Sequence, residues 1–133
     1  SSKNRIKFTG YTDTPERFMS VSNVLCIPSY REGFGTVVIE AAAMGIPAIG
    51  SNIYGLSDSI IHGETGLLVM PKHSVELAGA LHKLVYDTEL RSQFGQKAQK
   101  RALEYFSSTA INQKIIREYE CLLHKKGIPS NVE

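Results

Sequence analysis

Apolar residues follow two rhythms along this chain. Up to about residue 70 they come in short runs between Gly, Pro and Ser. From Ser74 on they recur at helical spacing. Arg5-Ile6-Lys7-Phe8 reads as a short strand ending at Gly10. Thr14 and Pro15 form a helix start, with Thr as N-cap and Pro at the first helical position, and that helix is expected to reach about Ser22. Val24 to Ile27 is a second strand, closed by Pro28. The loop Ser29 to Gly35 leads into a helix over Thr36 to Met44, stopped by Gly45 with Pro47 just beyond. Pro47 to Gly50 is a third strand and Ser57 to Ile61 a helical turn. Gly63 to Gly66 has turn chemistry, and Leu67 to Val69 is a fourth strand ended by Pro71.

Three helices follow. Ser74 to Tyr86 carries a stripe at Val75, Leu77, Ala78, Leu81, Leu84 and Val85. Thr88 to Tyr105 contains Gly95 as a weak point. Ser108 to about His124 has its stripe at Ile111, Ile115, Ile116, Tyr119, Leu122 and Leu123. Gly127 to Glu133 is expected to fray. Short apolar strands alternating with helix-length crossovers predict the α/β class: a Rossmann-like, doubly wound parallel sheet followed by C-terminal helices. The expected organisation is a partial domain over 1–106, a C-terminal helix over 107–126 and a tail over 127–133. Open parallel sheets bind ligands at the carboxyl ends of their strands. The loop after Ile27 is such a place.

Composition narrows the function classes. With 133 residues, 42% hydrophobic and 21% charged, the chain has globular composition and length for one domain. No apolar run reaches membrane-span length, and Ser1 to Arg5 lacks a signal-peptide core. Cys26 and Cys121 have no metal or redox spacing, which points to a reducing compartment, and Cys26 is expected to pack as a small hydrophobe. The four His are scattered without ligand spacing, and Met19, Met44 and Met70 are expected to pack. Net charge is +2, but residues 91–126 hold eight Lys/Arg against three Glu, leaving the rest of the chain at −3. A solvated helix face explains this simply; phosphate or an anionic membrane surface are the alternatives.

The chemistry concentrates between Pro28 and Gly45. Glu40 lies between Val37-Val38-Ile39 and Ala41-Ala42-Ala43-Met44. A helix apolar all round is a buried helix, so a carboxylate there is expected to need a partner. Helical side chains lean toward the N-terminus, so Glu40 reaches back toward whatever that end binds. Gly33-Phe34-Gly35 feeds into the helix and lets the backbone approach a ligand. The amides of Thr36 and Val37 have no intrahelical partner and form an anion site with the positive dipole end. Phosphate at the helix end and a carboxylate one turn in fit a nucleotide with its ribose hydroxyls. Glu32, at the loop tip, is placed either to bind sugar hydroxyls or simply to face solvent.

The run Pro28-Ser29-x-x-Glu32-Gly33-Phe34-Gly35, continued by Glu40-Ala41, Gly45 and Pro47, resembles the signature of retaining glycosyltransferases of the two-domain GT-B fold, group 1 or family 4 type. The likeness continues through His62-Gly63-Glu64-Thr65-Gly66-Leu67-Leu68-Val69 and covers about residues 6–110. It implies the second half of a GT-B C-terminal, nucleotide-sugar-binding domain. Glu32 would be the catalytic position, binding donor-sugar hydroxyls near the reacting carbon. Gly33, Phe34 and Gly35 would line the sugar and first phosphate. Thr36 and Val37 would hold the diphosphate, and Glu40 the ribose. Gly10 and Tyr11 would lie near the base.

The family's basic Arg/Lys pair falls upstream of the strand that matches Ile6-Lys7-Phe8. Its Gly-Gly-x-x-Glu element appears here as Tyr54-Gly55-Leu56-Ser57-Asp58, with Asp in place of Glu. The implied reaction moves a sugar from a nucleoside diphosphate to an acceptor hydroxyl with retention of anomeric configuration, in polysaccharide or glycolipid synthesis. It uses no metal and no other cofactor.

The expected partners are the nucleotide sugar and an N-terminal acceptor domain of the same protein. Self-association along the Ile6–Phe8 edge or the Ile111–Leu123 helix is a further expectation. The expected location is cytoplasmic, with peripheral contact at the inner membrane face as an open alternative. Taken by itself the chain is expected to be inactive. A GT-B epimerase and a non-catalytic nucleotide-sugar or protein-interaction module are the competing readings. Nucleic-acid binding ranks last, since the basic region lacks interleaved aromatics.

Overall fold

The computed structural model describes residues 5–125. The segments 1–4 and 126–133, and with them the tail expected to fray, lie outside the described residues. Three strands, β1 (Leu25–Ile27), β2 (Ala48–Ser51) and β3 (Gly66–Val69), form a parallel sheet in the order β1-β2-β3. Leu25 pairs with Ala48, and Ala48 with Gly66, so the three strands start level; β2 and β3 end level at Ser51 and Val69, and β1 stops one residue earlier. The helices are α1 (Pro15–Met19), α2 (Thr36–Ala43), α3 (Leu56–Ser59), α4 (Ser74–Tyr86), α5 (Thr88–Tyr105) and α6 (Ser108–Lys125).

Strand alternation sorts the core onto two faces. Ile49, Leu67 and Val69 pack with Ala80 and Leu84 of α4 and Phe94 of α5. On the other face Ala48 packs with Val38 of α2 and with Leu56 and Ile60 at α3. Both faces are covered, as parallel sheets require. This is the doubly wound arrangement.

Helix α5 crosses the end of α2 closely. A side chain at Gly95 would overlap the Gly45 carbonyl oxygen. The expected weak point is therefore a packing requirement, and α5 runs unbroken through it. Thr14 and Pro15 start α1 as expected, but the helix ends at Met19, with Ser20 capping.

Three expectations are corrected. Ile6 to Phe8 forms no strand; Ile6 is 64% and Phe8 93% exposed. The reason is physical: no neighbouring strand pairs with it, and an unpaired short strand has nothing to bury its apolar side against. The open edge expected there belongs instead to β1, whose outer side has no partner among the described residues. Cys26 on that edge strand is exposed rather than packed. Met44 and Met70 are also exposed, while Met19 is buried. Ile111, Ile115, Ile116 and Leu122 line α6 as the stripe predicted, each about half exposed. The side chains of Tyr119 and Leu123 lie outside the described set.

Candidate functional site: the N-terminus of α2 and the loops around it

Gly35 makes the entry into α2. Its φ of 69° and ψ of 53° are left-handed, which glycine adopts without steric cost. A methyl here would also stand 2.8 Å from Leu56 Cδ2. The turn closes with the Val38 amide donating to the Gly35 carbonyl at 2.8 Å. No side chain caps α2, and no hydrogen bond among the described residues engages the amides of Thr36 or Val37. Those two donors are free at the positive end of the helix. Gly33 has open space where a side chain would be.

The environment of Glu40 differs from expectation. It is exposed, not buried, and makes no ion pair or hydrogen bond among the described residues. Helix α2 buries Val38, Ala41 and Ala42 and leaves Thr36, Glu40 and Ala43 open. Thr36, Glu40 and Ala43 recur at helical spacing, so they form one outward stripe. The apolar residues either side of Glu40 are spent on the other faces, and no burial cost has to be explained. What survives is the placement: Glu40 stands one turn above the free amide of Thr36 on the same open face. Glu32, half-buried on the preceding loop, also makes no ion pair or side-chain hydrogen bond among the described residues.

The loop bearing Glu32 is held by residues whose spacing gave no hint of it. Gly55, at φ 93°, lies so close that a methyl there would overlap the Gly33 carbonyl oxygen and sit 2.8 Å from the Glu32 carbonyl oxygen. The Phe34 ring packs on Phe106 at 5.3 Å, tilted by 56°. Arg101 lies over the Phe106 ring, 4.8 Å from its centre. Its guanidinium donates to the carbonyls of Asp58 at 2.8 Å and Ser59 at 3.1 Å. It thereby caps the C-terminal end of α3, where carbonyls lack partners. Asp58 thus enters through its backbone. Gly55, Arg101 and Phe106 are far from Glu32 in sequence, and only Gly55 lay in a motif.

Gly10 and Tyr11 are not drawn into this cluster by hydrogen bonds, which in the segment 9–14 are all local. Tyr11 is 92% exposed. Two histidines serve the backbone: His62 Nδ1 accepts from Leu68 N at 2.9 Å and His73 Nδ1 from Glu76 N at 3.2 Å. Atoms crowded around the Cys26 sulfur desolvate it in part, despite its exposed position, and push the thiol pKa up. No described helix is long and apolar enough to cross a membrane.

A parallel sheet covered on both faces, with a glycine-entered helix N-terminus at its carboxyl edge and a carboxylate one turn along, defines an α/β domain with an open anion-accepting helix end. The chain belongs to the family of glycosyl transferases group 1, whose model matches residues 2–101. It is 35% identical over 113 residues to a capsular polysaccharide biosynthesis glycosyltransferase of Staphylococcus aureus, covering 85% of this chain and 30% of that protein. It is 31% identical over 122 residues to the N-acetyl-alpha-D-glucosaminyl L-malate synthase of Bacillus anthracis, covering 92% of this chain and 31% of that one. The chain therefore spans under a third of these relatives' length.

Among solved structures, Anabaena HepE in complex with UDP superposes with a TM-score of 0.83 at 29% identity, over 90% of this chain and 33% of that one. The C-terminal domain of a group 1 glycosyl transferase from Francisella tularensis superposes with a TM-score of 0.68 at 25% identity, over 77% of this chain and 53% of that one. The fold is that of GT-B C-terminal domains.

Proposed function

We propose that this chain is the donor-binding part of a retaining glycosyltransferase that moves a sugar from a nucleoside diphosphate to an acceptor hydroxyl. One observation carries the reading: two free amides at the end of α2, with Glu40 one turn above them on the same open face. The diphosphate meets the amides of Thr36 and Val37, as anions do at helix N-termini. Glu40 accepts hydrogen bonds from the ribose hydroxyls. Glu32 reaches the donor sugar, where Gly33 leaves room for it. In the transfer the bond from the anomeric carbon to the diphosphate oxygen breaks. A bond to the acceptor oxygen forms, and the acceptor proton leaves with the departing diphosphate. The fixed amide dipoles stabilise that anion as it develops, and the reaction as proposed needs no metal. The names of the relatives support polysaccharide or related synthesis as the setting. The acceptor domain and the basic diphosphate-binding pair belong to the whole protein in this reading.

The test is a two-dimensional NMR titration with UDP, GDP and ADP and their hexose conjugates. One nucleotide should shift the amides from Gly33 to Glu40. Glu40→Ala should weaken it about tenfold, the loss of one charge-assisted contact, while changing stability by under about 0.5 kcal/mol because the side chain is exposed. Nucleotide shifts centred elsewhere, or full binding by Glu40→Ala, would overturn the assignment.

A further inference from the structure

A depression of about 300 Å³ opens at the carboxyl end of the sheet on the side of α4. Ser51 lines it as the last residue of β2, level with Val69 of β3. Ser51 is 2% exposed, and no hydrogen bond among the described residues engages its hydroxyl. The other buried polar side chains, Ser59 and Thr65, both have partners. No fully enclosed side-chain nitrogen or oxygen among the described residues lacks a partner, so the Ser51 oxygen keeps its opening toward the depression and is free there to donate and accept.

The groups around it are donors. Lys72 is the non-glycine residue found at positive φ among the described residues, at 62°, and its Nζ lies 5.3 Å from the centre of the Tyr30 ring. His73 accepts from the Glu76 amide at Nδ1, so its ring proton is on Nε2. Ser74 opens the first turn of α4. The Glu76 carboxylate is turned to the Met70 amide at 2.9 Å, and no carboxylate lines the depression.

We propose that this depression binds the phosphate group of a small phosphorylated molecule, at a site separate from the α2 N-terminus. The Lys72 ammonium supplies the charge. The Ser51 and Ser74 hydroxyls and His73 Nε2 supply directed hydrogen bonds. A volume of about 300 Å³ reaches the range of organic-ligand pockets and exceeds what a bare anion fills. The Tyr30 ring forms a wall for the body of the molecule. Tyr30 precedes Glu32 by two residues, so the bound compound would lie along the loop that carries Glu32. The proposal stands whether or not α2 binds a nucleotide.

The chain is titrated with glucose 6-phosphate, inorganic phosphate and glucose at constant ionic strength, and followed by amide shifts. Glucose 6-phosphate should move Ser51, Lys72, His73 and Ser74, still do so with UDP present, and bind more tightly than inorganic phosphate. Glucose should move none of them. Lys72→Gly removes the ammonium and relieves the positive φ, so it remains folded; it should bind about tenfold more weakly, the factor for one charge-assisted contact. Ser51→Ala should also bind more weakly. Shifts confined to Gly33–Glu40, no shifts at tens of millimolar, or full binding by Lys72→Gly would overturn the site. Equal binding of inorganic phosphate and glucose 6-phosphate would overturn the organic body.

Discussion

Gly55→Ala tests how the Glu32 loop is held. The new methyl would meet the Gly33 carbonyl oxygen head on, with the Glu32 carbonyl oxygen at 2.8 Å and the Gly33 carbonyl carbon at 2.7 Å. Ordinary carbon–oxygen contacts lie at about 3.3 Å or more, so the 32–33 backbone has to retreat by at least about 1 Å. The obstacle is main chain on all three counts, and no rotamer change relieves it. Overpacking of this kind costs about 1–3 kcal/mol. A further cost of about 1–3 kcal/mol comes from placing alanine at φ 93° and ψ −52°, a sparsely populated region outside the left-handed helical well.

Gly63→Ala is the control for an uncrowded glycine at positive φ: its φ is 78°, and nothing lies within 4 Å of the added methyl. The urea-unfolding ΔΔG of Gly55→Ala should exceed that of Gly63→Ala by at least the packing cost, about 1–3 kcal/mol. If Glu32 holds the donor sugar as proposed, displacing it by about 1 Å should also reduce sugar transfer by the full-length protein about a hundredfold, since positioned groups tolerate little misplacement. Equal ΔΔG for the two variants would refute the claim that Gly55 holds the loop.

Arg101→Ala removes two charge-assisted hydrogen bonds to the end of α3 and the stacking on Phe106. It should cost about 2–3 kcal/mol in urea unfolding, and a loss below about 0.5 kcal/mol would show the cap to be idle. For Cys26 the folded thiol has a raised pKa, so the folded state holds that proton more tightly than the unfolded one. Its contribution is complete below the unfolded thiol pKa and fades as pH rises through the folded value. Wild-type stability, measured against Cys26→Ala by urea midpoint, should therefore fall across the alkaline thiol range; a difference that grows with pH would reverse the sign of the argument.

Much of this fold was readable because local signals agreed with one another. Pro15, Gly45 and Pro71 punctuate the chain, and the helices expected over Ser74 to Tyr86 and Thr88 to Tyr105 span those residues. The carboxyl-end loop, its glycines and the pair Glu32 and Glu40 were also visible in the pattern. Two readings failed for one reason, that local pattern does not report what a segment packs against. Ile6 to Phe8 has strand chemistry and no strand beside it. Glu40 has apolar neighbours in sequence and an open face in space, because the helix turns those neighbours toward β2 and α5 and itself away.

The sequence by itself determined the α/β class, the order of elements and the helix end that carries the free amides, since these depend on spacing over a few residues. Only the tertiary structure decided which side chains stand together. Gly55 against Gly33, Arg101 on the carbonyls of Asp58 and Ser59, and Ser51, Lys72 and Tyr30 around one depression join positions distant along the chain. Their meeting is set by sheet register and helix packing, which no local periodicity encodes.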